Sequence, residues 1–210
     1  MRRARARLAP QIQGTTMRVT GAGVAAFGAM MALAPQAHAG IDEIHVGVMQ
    51  HNICVTDCKN ADKEDGPNVE FQVSFDSPDF LNWAGAPQPY IMASVNTAGD
   101  TSFAGFGLEW RWEFAENWAI EPGLGYVIHD GETENPYTPG TPENTAFSEQ
   151  HLLLGSEDLF RTSIGLTHDF QGPWEGQIFF EHLSHGQIIG SGHNQGVDQL
   201  GIRIGYQLGG

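Results

Sequence analysis

His182, Ser184 and Asp198 are the residues of this 210-residue chain whose types and spacing could do chemistry. A serine, an imidazole and a carboxylate are the parts of a nucleophile, a general base and the group that orients the base. His182 and Ser184 stand two apart in FFEHLSHGQ, a run with the pattern of a β-strand. Side chains two apart on a strand share a face, about 7 Å from each other along the backbone. That face carries Ile178, Phe180, His182 and Ser184 in turn, and Asp198 opens the strand that follows. On chemistry alone the set reads equally as a catalytic triad and as a polar cluster closing a loop. The choice depends on what the apolar stripe beneath it faces.

The elements that position these residues lie in residues 40–210. Residues 1–39 read as a secretory signal: Arg2, Arg3, Arg5, Arg7 and Arg18 precede an apolar stretch from Val19 to Leu33, and Ala37-His38-Ala39 supplies a small-x-small cleavage pattern. The run from Met17 is already a complete signal, which leaves Met1 and Met17 both open as the translation start. The remaining 40–210 reads as one domain, with five basic residues, Lys59, Lys63, Arg111, Arg161 and Arg203, against 25 acidic ones. Such a balance excludes a nucleic-acid partner, whose phosphates require clustered Lys and Arg. Cys54 and Cys58, four apart after a strand, leave a loop disulfide and two free thiols both open.

Alternating hydrophobicity predicts eight strands, at 44–53, 68–75, 89–97, 103–114, 118–128, 159–170, 174–184 and 197–208. A helical turn is expected within 147–154. Parity is more informative than number. The fourth strand places Phe106, Leu108, Trp110, Trp112 and Phe114 on one face and Gly107, Glu109, Arg111 and Glu113 on the other. The sixth sets Phe160, Ile164, Leu166 and Phe170 against Arg161, Ser163, Thr167 and Asp169, and the eighth sets Leu200, Ile202, Ile204 and Tyr206 against Gly201, Arg203 and Gly205. A soluble, lipocalin-like barrel would turn the greasy face inward. Charges mixed with glycines suit a narrow lumen instead, and strands of about ten residues match a tilted bilayer crossing. The fold expected is therefore all-β, an eight-stranded antiparallel transmembrane β-barrel. With the amino terminus in the periplasm, the short turns 115–117 and 171–173 face the periplasm and the long connections face outward; 76–88 is the exception. His182, Ser184 and Asp198 then sit on the lipid-facing wall at the outer rim, where a head group meets its acyl chains.

At these residues the chain resembles the PagL-like lipid A 3-O-deacylases, which carry His-x-Ser-Asn in the penultimate strand and, after a loop, Asn-x-Gly-x-Glu. The corresponding stretches are His182-Leu183-Ser184-His185 and Asn194-Gln195-Gly196-Val197-Asp198, and the resemblance extends through HVGVMQHNI, AGFGLEWRW and EPGLGYVIHDG. It implies an outer-membrane serine esterase that removes the 3-hydroxyacyl chain at the 3-position of lipid A, with lipopolysaccharide as partner and no cofactor. Carried over by position, Ser184 is the nucleophile, His182 the base and Asp198 the acid. Asp198 replaces the family's usual Glu, and His185 replaces the Asn that contacts the oxyanion; His185 and the Gly186 N–H are the expected oxyanion donors. Phe180, Leu200 and Ile202 are the expected acyl-binding wall. The alternative is a barrel that keeps the fold for a structural or adhesion role. A metal site from His182, His185, His193 and Asp198 is disfavoured, since residues three apart on a strand face opposite ways. His45, His51, His129, His151 and His168 read as rim or loop residues, and Glu181 as a lumen charge paired with Arg161 or Arg203.

Overall fold

The computed structural model describes residues 40–208 apart from Asp57, Asp62 and Ser191; the predicted export signal lies outside the described residues. Its strands are β1 (Ile41–Gln50), β2 (Pro67–Phe75), β3 (Gln88–Asn96), β4 (Phe103–Glu109), β5 (Trp112–Ala115), β6 (Trp118–His129), β7 (Asp158–Asp169), β8 (Trp174–Ser184) and β9 (Val197–Gln207). Consecutive strands pair antiparallel except β4 and β5, both of which pair with β6, and β1 pairs with β9, which closes the sheet. β4 and β5 are halves of one barrel strand, since Glu109 faces Gly123 and Trp112 faces Ile120 in continuous register. The closed structure is an eight-stranded antiparallel β-barrel. The predicted fourth strand is interrupted because Pro122 stands opposite Trp110. Trp110 N–H donates to the Pro122 carbonyl at 2.9 Å, and proline has no N–H to return.

Parity in the sheet decides between the two barrels the sequence allows. Apolar side chains point out: Leu124 is 56% exposed and Ile202 66%, while Arg161 and Arg203 inside are each 1% exposed. Apolar outside and charged inside is the arrangement of a membrane-spanning barrel. Across the lumen Arg203 donates to Glu70 and Gln72, each at 3.0 Å, and to Gln177 at 2.7 Å, and its guanidinium lies 3.5 Å from the centre of the Phe179 ring. Arg161 donates to Glu181 at 2.5 Å. Gly107 and Gly125 make room for the buried Tyr90: a Cβ at either would lie 2.3 Å from its hydroxyl oxygen.

One end of the barrel carries short connections at 116–117 and 170–173, together with a 3-10 turn at Asp79–Ala84; the other carries the segments 51–66, 97–102, 130–157 and 185–196. The longest of these stoppers the barrel. Leu152 and Leu154 are fully buried against the inward-facing Phe103, Val127, Leu159, Leu183 and Val197. Helix α1 (Pro142–Gln150) precedes them, capped by Thr141, whose hydroxyl accepts from Asn144 N–H at 3.2 Å. The helical turn expected within 147–154 is thus displaced, because 152–154 is the plug.

Candidate active site

The register of β8 and β9 sets His182 directly opposite Asp198 at the loop end of the barrel, with Phe180 opposite Leu200 and Ile178 opposite Ile202 below. His182 Nδ1 lies 2.6 Å from Asp198 Oδ1. With Nδ1 carrying its proton toward the carboxylate, Nε2 keeps the lone pair of a general base. Two ionisable side chains on a lipid-facing wall are costly unless each is partnered, and Asp198 is well provided for. Its carboxylate is 3% exposed, although its strand position faces outward.

The cover comes from a distant segment. Thr56 N–H donates to Asp198 Oδ2 at 2.5 Å, and its hydroxyl donates to Oδ1 at 2.9 Å while lying 3.0 Å from His182 Nδ1. Thr56 is at the middle of a five-residue ring closed by a Cys54–Cys58 disulfide. The bridge resolves the two cysteine states that the sequence leaves open. Ile53 N–H to the Asp198 carbonyl, at 2.9 Å, fastens the start of this segment to β9. Nothing in the local sequence marks Thr56, which is 142 residues from its main partner; the one available signal was the cysteine pair around it.

Gly196 forms the floor of the imidazole. A Cβ there would lie 2.7 Å from His182 Cε1 and 2.9 Å from the Leu183 carbonyl oxygen, so the ring occupies the space a larger residue would fill. Ser184 ends β8 opposite Phe160, on the same face as His182. The structure brings His182 and Asp198 into contact; Ser184 Oγ is joined to neither by a hydrogen bond, and the strand repeat sets the two side chains about 7 Å apart. Phe180, Leu200 and Ile202 form an apolar wall below the pair, Phe180 half-buried and the other two exposed.

His185 departs from the sequence expectation. Its ring is fully buried, Nε2 donating to the His193 carbonyl at 2.8 Å and Nδ1 accepting from Gln187 N–H at 3.0 Å. Both nitrogens are committed to holding the 185–196 loop, so the imidazole has no proton to offer an oxyanion. The expected role rests on the resemblance alone, from standing where those deacylases carry Asn, whereas strand alternation sets it on the face opposite His182. Gly186, in the left-handed region at φ +58°, stands exposed beside Phe160. His45 is a second correction: it lies in the lumen, not at the rim, with Nε2 2.9 Å from Glu175. Glu43, His45 and Glu175 are the group of possible metal ligands found among the described residues, their ligand atoms all within 4.8 Å. Arg111 already serves as cation there, donating to Glu175 at 2.9 Å.

Comparisons with known proteins bear on the fold and the family. Among solved structures, the crystal structure of the outer membrane enzyme PagL is similar over 78% of this chain and 98% of its own, with 17% identity and a TM-score of 0.53. A de novo designed transmembrane β-barrel (8% identity, 83% and 100% coverage, TM-score 0.44) and the Yersinia pestis outer membrane protein Ail (9%, 80% and 99%, 0.41) are more distant. A search of curated proteins finds no match. Residues 65–207, more than half of the chain, match the lipid A 3-O-deacylase (PagL) family, and the chain belongs to that family.

Proposed function

We propose that this protein is a serine esterase of the Gram-negative outer membrane, exported by its amino-terminal signal, that removes the ester-linked 3-hydroxyacyl chain at the 3-position of lipid A. One observation carries the reading: an imidazole on the outward wall has Nδ1 bound to a shielded carboxylate at 2.6 Å and shares its face with Ser184 at the end of β8. Below it, Phe180, Leu200 and Ile202 offer an acyl chain an apolar surface in the membrane.

In this mechanism Ser184 Oγ attacks the ester carbonyl as His182 Nε2 takes its proton, and Asp198 stabilises the imidazolium that results. The tetrahedral oxyanion is met by the Gly186 N–H where the chain leaves β8; the nearer His185 N–H is donated to Asn194 Oδ1 at 3.2 Å. His182 returns the proton to the departing sugar oxygen, and water then releases a 3-hydroxy fatty acid from the acyl-enzyme. Closing the gap between Ser184 and His182 requires the serine to swing toward the ring as substrate seats. No step needs a metal or an organic cofactor.

Mass spectrometry of lipid A from cells expressing the protein tests the proposal. The wild type is expected to remove one 3-hydroxyacyl chain. Ser184→Ala is expected to leave lipid A intact while still folding, as judged by heat-modifiable gel mobility. Deacylation by purified Ser184→Ala would remove Ser184 as nucleophile. Intact lipid A with folded wild type would favour the non-catalytic barrel.

A further inference from the structure

We infer that Thr56 is a positioning residue for the His182–Asp198 pair, and that the Cys54–Cys58 bridge keeps it in place, so that turnover depends on the oxidised state of this loop. The inference rests on the catalytic reading above and extends it to a residue outside the family motif. Thr56 does three things at once. Its N–H satisfies Asp198 Oδ2, its hydroxyl satisfies Oδ1, and its side chain stands 3.0 Å from His182 Nδ1, on the side of the ring away from Nε2. The carboxylate can therefore rotate neither out of the imidazole plane nor toward the head groups without losing two donors. A charge-assisted bond of this kind is stronger than a neutral one and more sensitive to geometry.

The segment that delivers Thr56 is exposed, as are Cys54, Val55 and Cys58 around it. Exposed loop residues retain conformational freedom unless something removes it. Here the ring closure does so, together with the Ile53 bond to β9 and an Asn52 side-chain bond to the Asn60 carbonyl at 2.7 Å. A thiol reductant acting on the bridge gives two cysteine thiols and the oxidised reductant. The loop then loses its closure, and Thr56 no longer holds one position over the pair.

The test compares purified, folded wild type, Thr56→Val, Thr56→Ser and the double variant Cys54→Ser/Cys58→Ser in detergent, each with and without dithiothreitol. Thr56→Val is expected to lower kcat about tenfold or more with KM nearly unchanged, since Thr56 touches the pair and not the acyl wall. Thr56→Ser restores most of kcat. Reduction of the wild type lowers kcat at least as far as Thr56→Val does, as does the double cysteine variant, and reduction of Thr56→Val adds only the smaller loss of the backbone N–H bond to Asp198 Oδ2. Equal kcat in wild type and Thr56→Val, or equal kcat in oxidised and reduced wild type, overturns the inference. Nitrogen NMR of the His182 ring provides a readout independent of activity. Oxidised wild type should show one tautomer with the proton on Nδ1, and Thr56→Val or reduced protein a mixture. Should wild type fail to deacylate lipid A, the functional reading falls while the tautomer ratio still decides the role of Thr56, an unchanged ratio overturning it.

Discussion

Two histidine–carboxylate pairs stand on opposite faces of the same sheet. In the lumen, His45 Nε2 meets Glu175 at 2.9 Å; on the outer wall, His182 Nδ1 meets Asp198 at 2.6 Å. As isolated pairs they are chemically alike. Their surroundings separate them. His45 is 1% exposed and Glu175 is further held by Arg111 and by Gln207, so the inner pair belongs to a closed network of charges. The outer pair is shielded on its acid side by Thr56, while the His182 side chain remains 25% exposed, toward the face that carries Ser184. A histidine–acid pair becomes a candidate for catalysis when only the acid is enclosed and the second ring nitrogen is left to work. In the lumen the same parts neutralise buried charge; on the outer wall, in the proposed mechanism, they prepare a base.

The largest effect is expected at Asp198, where the two environments can be made alike by removing the charge. An asparagine keeps the shape but offers one acceptor and one donor. Thr56 N–H demands an acceptor at the Oδ2 position, which turns the amide NH2 toward His182 Nδ1. That contact forces the proton onto Nε2, the wrong tautomer for taking a proton from Ser184. Asp198→Asn should therefore lower kcat by roughly 10³–10⁴-fold, the scale seen when a triad acid loses its charge, with KM little changed. Asp198→Glu, which restores the family's usual acid, should retain activity. Deacylation rates of folded variants measure both, and an active Asp198→Asn enzyme would place the orienting acid elsewhere.

The inner face should respond to substitution through stability. Arg203 is the centre of the lumen network, bonded to Glu70, Gln72 and Gln177 and 3.6 Å from Glu109. Arg203→Leu leaves Glu70 with Arg161, at 3.5 Å, as its one cationic partner among the described residues, and strips Glu109 of its guanidinium. Breaking a buried pair from one side costs about 3–5 kcal/mol. The expected result is a lower urea midpoint for the barrel, with per-molecule deacylation of the folded fraction preserved. An unchanged midpoint would mean that water, not protein, solvates these carboxylates.

The strands were legible in the sequence because their period of two is imposed by backbone geometry, and all eight crossings appear within a few residues of where alternation puts them. Parity also placed His182, Ser184 and Asp198 on one wall, since all three lie within or at the end of a strand. His185 was misread because its role was carried over from the position of an Asn in the resembling motif; alternation sets it opposite His182, and both of its ring nitrogens are bonded within the loop. His45 was misread because β1 starts at Ile41, three residues before the predicted start at 44, which puts this inward-facing residue within the barrel wall and not at its rim. Thr56 was illegible altogether. Its role depends on how the loop after β1 folds back over β9, a contact between chain ends that leaves no local pattern.

A third histidine–carboxylate pair, His51–Glu64 at 2.9 Å, joins segments of the loop end and offers the finest test of the comparison. It is buried like the inner pair and is tied to β9 by Gln199, whose side-chain amide donates to His51 Nδ1 at 2.8 Å; Glu64 also accepts from Thr101 N–H at 3.3 Å and Leu152 N–H at 3.1 Å, tying three segments together. Burial pushes the Glu64 carboxyl up, but the bonds from His51, Thr101 and Leu152 outweigh it and hold the group below its ordinary value near 4.5. Since the folded value is the lower one, the contribution to stability is fully present above the ordinary value and is lost as pH falls through the depressed one. Protection of the Leu152 and Thr101 amides from hydrogen exchange should thus weaken with acidification below about pH 4.5. Glu64→Gln leaves one of these donors facing an NH2 group, a loss of about 1 kcal/mol at the low end for an unsatisfied buried donor. Its amides should exchange faster at neutral pH and show a flatter pH response, with the barrel strands unaffected. Equal protection in the two proteins at every pH would assign the joining of these segments to the leucine plug alone, and would leave the Cys54–Cys58 loop and the plug as independent units above a common barrel.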